Sequence, residues 1–81
     1  MNEERLKFQG RLAEAELEAK KAEIAAKGLI NSLRNLLDPF DGLCDLPGEQ
    51  ILDQSMRLAD LLIVCREKRA EIAAIKKALG R

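Results

Sequence analysis

Histidine, tryptophan and tyrosine are absent from these 81 residues, and the only cysteines are Cys44 and Cys65. A structural zinc site needs four ligands, mostly cysteine or histidine, so no metal site is expected. A disulfide framework needs more cysteines than two. The sequence therefore predicts no metal and no cofactor, and it lacks both of the staples that commonly stabilise small domains.

Other aromatic residues and long apolar runs are also scarce. Phe8 and Phe40 are the only aromatic side chains, so the stacking platforms that bind single-stranded nucleic acid are missing. The longest apolar run, LLIVC at 61–65, is far shorter than the roughly 20 residues that cross a membrane. Two thiols and no secretory signal favour a cytoplasmic protein without a membrane partner.

Charge is balanced, and charged residues are abundant. Fourteen basic and fourteen acidic residues leave no net attraction to nucleic acid or to an anionic membrane. Apolar residues make up 47% of the chain and charged residues 35%. A composition rich in Ala, Glu, Lys, Leu and Arg is typical of long helices.

Helix-breaking residues are concentrated in one stretch. Proline is absent before Pro39, whereas Asp38 and Pro39 disfavour helix and Pro47 suits the first turn of a new one. Gly80 ends the second helix. The sequence predicts one domain, residues 1–81, with a helix over 3–37, a turn over 38–47 and a helix over 48–79.

Both predicted helices carry heptad repeats that match each other. Pairs such as Leu12 with Ile75 and Ala22 with Cys65 face each other when the chain folds back, and alanine repeatedly opposes a larger residue. The pattern predicts an all-α fold, an antiparallel two-helix coiled-coil hairpin. Two residues depart from it, Gln54 and Lys68. Lys68 faces Ala19, past which its ammonium extends while its stem is buried.

Seven further apolar residues lie near the turn, four of them flanking the seam and three (Leu52, Met56 and Ile63) further round the second helix, and we name them the turn-proximal patch. A lone hairpin would expose them, which is typical of an interface. The sequence therefore predicts that two hairpins dimerise into a four-helix bundle with twofold symmetry, or that an unknown protein partner covers the same patch. The patch comprises Ile30, Leu37, Leu52, Met56, Leu62, Ile63 and Val64.

The turn DPFDGLCDLPGE, residues 38–49, has the length of an EF-hand calcium loop. That loop requires oxygen ligands at its third and fifth positions and glycine at its sixth. Phe40, Gly42 and Leu43 occupy those positions, so the motif fails. We expect Asp38 and Asp45 to act as caps. Three apolar turn residues are expected to cover the end of the bundle, namely Phe40, Leu43 and Leu46.

The end of the second helix is rich in basic residues. They are candidate phosphate contacts, which suggests a nucleic-acid-associated accessory protein as the alternative function. The competing interpretation is that bases late in a helix complement its dipole. The candidates are Arg66, Arg69, Lys76, Lys77 and Arg81.

Nothing in the sequence indicates catalysis. There is no histidine and no glycine-rich phosphate loop, and Glu14, Glu18 and Glu23 lie off the seam instead of pairing inside it. Cys65 is a seam residue, and Cys44 lies in the turn about 22 Å away along the helix axis. We therefore expect no enzyme activity and no catalytic residue.

The motifs LLDPF and IAAIKKALG, within a segment of about fifty residues, resemble short uncharacterised helical proteins of Mu-like prophage early regions. The resemblance implies a bacterial or phage cytoplasmic protein without an assigned activity. The function hypothesis is a non-enzymatic protein–protein interaction or structural module that acts through a self-associating hairpin, and the resemblance implies that it is phage-derived.

Overall fold

Two long helices pack along each other to form an all-α hairpin. The computed structural model describes residues 2–38 and 42–80, and within these residues there is no strand. The first helix, α1, spans Asn2–Leu36, and the second, α2, spans Gly48–Ala78. A short 3-10 turn at Leu43–Asp45 lies between them. The result is a rod with Cα extents of 64 × 15 × 14 Å.

Charges near the helix ends favour both helices. Glu3 and Glu4 lie in the first turn of α1, and Glu49 lies in the first turn of α2. Lys76 and Lys77 lie in the last turn of α2. Acids near the positive N-terminal end and bases near the negative C-terminal end each stabilise a helix by roughly 0.3–1 kcal/mol.

The start of α2 differs from the expectation that Asp45 caps it. Pro47 occupies the capping position, and no side chain makes a capping hydrogen bond there. Asp45 lies in the 3-10 turn, too early in the chain to reach the first amides of α2. Its carboxylate instead lies against Gly42, where an added Cβ would come within 2.9 Å of Oδ2. A side chain at position 42 would therefore displace the exposed Asp45 carboxylate from this position.

Gly80 ends α2 as the sequence predicts. Its φ of 77° is in the left-handed region, which glycine adopts without steric cost. Its amide donates a hydrogen bond to the Lys77 carbonyl at 3.1 Å. Of the three apolar turn residues expected to cover the end of the bundle, Phe40 and the side chain of Leu43 lie outside what the structure describes, and Leu46 is half-buried. Pro39 also lies outside the described ranges.

The hydrophobic core lies in the half of the rod that holds the chain termini. Leu12, Ile75 and Leu79 form a buried cluster, and Phe8 and Ile72 pack against it. These are the residues that the matching heptads place opposite one another. Along the rest of the seam, α1 contributes small buried side chains, namely Ala15, Ala22 and Ala26.

Burial is much poorer near the turn. The seam leucines and isoleucine in this half are only half-buried, although the heptad pattern continues through them. The described residues in question are Leu29, Leu33, Leu36, Ile51, Leu58 and Leu61. The seam is therefore closed at the termini and incompletely covered at the turn.

The total surface is large for a chain of this mass. The hairpin exposes 6526 Å². A compact monomer of 9.0 kDa exposes about 4,900 Å² by the usual scaling of surface with mass. The difference arises because two helices alone cannot enclose a core.

Replacing Leu12 with alanine should destabilise the hairpin strongly. Leu12 is only 5% exposed and belongs to the one buried cluster of large side chains among the described residues. We expect Leu12→Ala to lower the free energy of unfolding by about 2–5 kcal/mol, measured by urea denaturation with circular dichroism.

The matched control is Leu17→Ala, since Leu17 lies on the same helix but is 56% exposed. It should change the free energy of unfolding by less than about 0.5 kcal/mol. Equal losses for the two variants would contradict the assigned core.

Candidate protein interaction surface

The seam has two sides with different chemistry. One of them, which we name the groove side, is formed by residues that recur every seventh position and therefore lie on one face of each helix. These residues are Glu16, Glu23, Ile30 and Leu37 from the first half of the chain, and Ser55, Leu62, Arg69 and Lys76 from the second.

A groove of about 400 Å³ runs between the helices on this side. Its walls include Ile30 and Leu62 toward the turn, and Glu23 and Arg69 toward the termini. The floor is made of small or half-buried seam residues, namely Ala19, Ala26, Cys65 and Ile72. Because alanine fills little volume, the groove stays open along the middle of the rod.

The opposite side, which we name the ion-pair side, is closed by polar side chains. The Lys68 ammonium contacts the Glu18 carboxylate across the seam and Glu71 on its own helix at 3.2 Å. Lys68 is 26% exposed at its side chain. The Lys68 side chain thus crosses the seam to reach α1 at Glu18, the residue before Ala19. These contacts also explain why an ionic residue is tolerated in the seam.

The contacts around Lys68 change its acidity. Hydrogen bonds to Glu18 and then to Glu71 raise the pKa of the Lys68 ammonium above its ordinary value. The charged form is therefore favoured in the folded chain. Its contribution to stability is complete below the unfolded pKa of about 10.4 and is lost as the pH rises through the folded pKa.

All seven residues of the turn-proximal patch are exposed, but they do not form one face. Ile30 and Leu62 meet at the groove, and Leu37 follows Ile30 by one heptad on the groove side. Val64 lies at a heptad position on the ion-pair side. The other three occupy the face of α2 that points away from α1, namely Leu52, Met56 and Ile63.

Sequence reasoning missed three exposed apolar residues on α1. Leu6, Leu17 and Ile24 are each more than half exposed. Leu17 and Ile24 are one heptad apart, so they share a face of α1 that points away from the seam. A search for a second heptad repeat in α1 would have found this pair.

The basic candidates are exposed but divided between two faces. Arg69 and Lys76 lie on the groove side, whereas Arg66 and Lys77 lie at positions on the outward face of α2. None of these four forms an ion pair with another described residue within 4.0 Å. Arg81 lies outside the described residues.

Other chemistry has little support in the described residues. Over 2–38 and 42–80, no group of three His, Cys, Asp or Glu side chains is placed to hold a metal ion. Cys44 is exposed and Cys65 is half-buried, and both are free thiols. Within the same ranges, neither helix has a stretch that is long and apolar enough to cross a membrane.

Gln54, the other departure from the heptad pattern, lies in the poorly covered half of the seam. Its Oε1 atom is buried and accepts no hydrogen bond from the described residues. A buried acceptor without a donor is costly, which adds to the incomplete packing near the turn.

No protein-family model, curated protein or solved structure matches this chain.

Lys68 should stabilise the folded chain less as the pH rises. We expect the free energy of unfolding to fall as the pH rises from about 10 to 12, because the Lys68 ammonium loses its proton and its two acceptors. The fall should be smaller in Lys68→Met. Urea denaturation at a series of pH values measures both.

Lys20→Met is the matched control, because Lys20 is exposed and makes no ion pair with a described residue. It should follow the wild-type pH dependence. If Lys68→Met and the wild type lost the same stability, the contacts to Glu18 and Glu71 would not matter to the fold.

Proposed function

We propose that the chain is a non-enzymatic protein interaction module that works by self-association, as two hairpins that pair into a four-helix bundle. The observation that carries this proposal is the exposed, incompletely covered half of the rod near the turn. There the seam residues are half-buried, and large apolar side chains such as Leu62 stand beside them in solvent.

Apolar side chains left in water near the turn would cost the hairpin much of its stability. Burying one leucine or isoleucine side chain contributes roughly 1.5–3 kcal/mol. Ordinary domains are stable by only about 5–15 kcal/mol, so several such side chains left in water forfeit a large share of that stability. A second hairpin over the groove would cover Ile30, Leu37 and Leu62 and would complete the burial of the seam beneath them.

The size of the available face suits a dimer. A stable interface buries about 800 Å² on each partner. The rod is 64 Å long, and the hairpin exposes 6526 Å², well above the value for a compact monomer of its mass. Two hairpins together would supply the four helices that pack around one core in a four-helix bundle.

The likeness of LLDPF and IAAIKKALG to short helical proteins of Mu-like prophage early regions supports a phage-derived cytoplasmic origin for the module. It assigns no activity. A module of this kind would act by holding chains together, so its working residues are those of the interface and not a catalytic set.

Leu62→Glu should dissociate the assembly. Leu62 lines the groove and is 39% exposed in the single chain, so in a bundle its replacement would bury an unpaired carboxylate. We expect the dissociation constant to rise at least about 100-fold, since each 1.4 kcal/mol is a factor of ten. Analytical ultracentrifugation measures the constant, and circular dichroism should still detect the helices.

Leu17→Glu is the control, because Leu17 is equally apolar but lies on the outward face of α1. It should leave the dissociation constant within about threefold of wild type. A Leu62→Glu chain with the wild-type assembly size would refute the proposed surface.

A second candidate function is nucleic-acid association through the basic end of α2. The observation in its favour is that Arg66, Arg69, Lys76 and Lys77 are exposed and make no ion pair with a described residue. Exposed bases at one end of a rod would be duplicated in a dimer, which strengthens weak phosphate binding through multivalency.

Under this second function, the protein should slow the migration of duplex DNA in a gel at low salt. This mobility shift should weaken steeply as the salt concentration is raised. Changing Lys76 and Lys77 to alanine should abolish it. Changing Lys20 and Lys21 to alanine is the control of equal charge and should leave most of the shift. No shift at low salt would remove this candidate.

A further inference from the structure

We infer that the second copy docks on the groove side with the turn ends of both hairpins together, so that α1 of each chain packs against α2 of the other. This inference rests on the proposed self-association and adds its orientation. The charges along the groove side determine it.

The groove side is arranged in four levels along the rod. From the turn toward the termini, the levels pair Leu37 with Ser55, Ile30 with Leu62, Glu23 with Arg69, and Glu16 with Lys76. The members of a level are five residues out of step with seam pairs such as Leu12 and Ile75, about 7.5 Å along the rod at 1.5 Å per residue. They are grouped because the groove is lined by both members of the second and third levels. The two levels near the turn are free of charge, and the two levels near the termini each hold one acid and one base.

A twofold axis parallel to the rod keeps every level at its own height in both copies. The four helices then form a square in which α1 neighbours α2 of the second copy. Glu23 faces Arg69 of the second copy, and Glu16 faces its Lys76. Ile30 meets Leu62 of the second copy, so apolar groups pack on apolar groups.

A twofold axis perpendicular to the rod gives the opposite result. It places α1 on α1 of the second copy in reversed direction, so the levels no longer coincide. With the rods fully overlapped, Glu23 faces Glu23, Arg69 faces Arg69, and Ile30 faces Glu16. With only the turn halves overlapped, Leu37 faces Glu23. Both of these arrangements oppose like charges or bury a charge against an apolar group, which costs affinity. A third reversed arrangement, with the axis midway between the first two levels, sets Leu37 against Ile30 but leaves both charged levels of the groove side unpaired and uncovered. Only the parallel axis matches all four levels.

The charged groups are available for such contacts. Arg69, Glu16 and Lys76 make no ion pair with any described residue. Glu23 contacts Lys27 one turn away at 3.2 Å, but both side chains are more than half exposed. Exposed pairs of this kind contribute little, so Glu23 can turn toward an arginine of the second copy at small cost.

The opposite side of the hairpin offers no comparable arrangement. On the ion-pair side, Lys68 already joins Glu18 and Glu71 within one chain. The small cleft there is lined mostly by charged groups, including Arg11 and Glu14. Only the groove side combines an apolar half with a charged half whose signs match a second copy in the same orientation.

Distances between spin labels in the assembled protein test the orientation. One label is placed on the exposed native Cys44 near the turn, with Cys65 changed to alanine. The other is placed on an Ala74→Cys chain in which both native cysteines are alanine, because Ala74 is exposed near the end of α2. The label-to-label distance between copies is measured for each by pulsed electron paramagnetic resonance.

With the turn ends together, both distances should be short, below about 40 Å, because each label meets its own copy across a bundle whose helix axes lie 8–10 Å apart. The two labelled sites lie about 40 Å apart along each rod at 1.5 Å per residue. In a reversed arrangement, an overlap that brings one site close to its copy moves the other site away from its own copy. At least one of the two label-to-label distances must therefore exceed about 40 Å. A dimer with one long distance would overturn the orientation and leave the proposed self-association intact. A chain without intermolecular coupling, and monomeric by sedimentation, would overturn both.

Charge reversal provides a second, independent measurement. Glu23→Arg should raise the dissociation constant at least about tenfold, because four positive side chains then share one level. Arg69→Glu should do the same with four negative ones, and the two changes combined in one chain should restore the wild-type constant to within about threefold. In a reversed dimer, Glu23→Arg would only replace one like-charge pair by another, so an unchanged constant in the single variants would overturn the orientation.

Discussion

The packing of small α1 residues against large α2 residues is the constraint on which the rest of this structure depends. Ala15 and Ala22 bring the helices close, while Leu12, Ile75 and Leu79 fix their relative height. Once that height is fixed, every other residue has a defined level and side. The distinction between the groove side and the ion-pair side, and the charge matching along the groove, both follow from this register.

The two sides of the seam are closed in different ways. Lys68 completes the ion-pair side within one chain, because Ala19 leaves room for its stem and Glu18 and Glu71 meet its ammonium. The groove side has no such bridging side chain, and Ala19 and Ala26 leave a depression there. The surface proposed to take a second molecule is therefore the one where the small seam residues have no long polar side chain beside them.

The fold was predictable from the sequence because apolar residues recur at heptad positions in both helices. Heptads of matching length, interrupted by Asp38–Pro39 and stopped by Gly80, define two helices and their pairing without any knowledge of side-chain contacts.

The candidate site was less predictable. The sequence identified apolar residues near the turn, but the groove depends on summed side-chain volumes across two helices, which a heptad assignment does not contain. Leu17 and Ile24 are a different case, because their shared outward face is already evident from their spacing of seven residues in the sequence. The cap expected at Asp45 does not form, because Pro47 holds the capping position of α2 and Asp45 lies two residues earlier, in the 3-10 turn.

Sedimentation equilibrium of the purified chain over a wide concentration range tests the central claim most directly. The account predicts a helical dimer, with a mass twice the 9.0 kDa of one chain, whose dissociation is reversible on dilution. A well-folded monomer at every concentration would contradict it, because the exposed apolar half of the rod would then need no second copy to be stable in water.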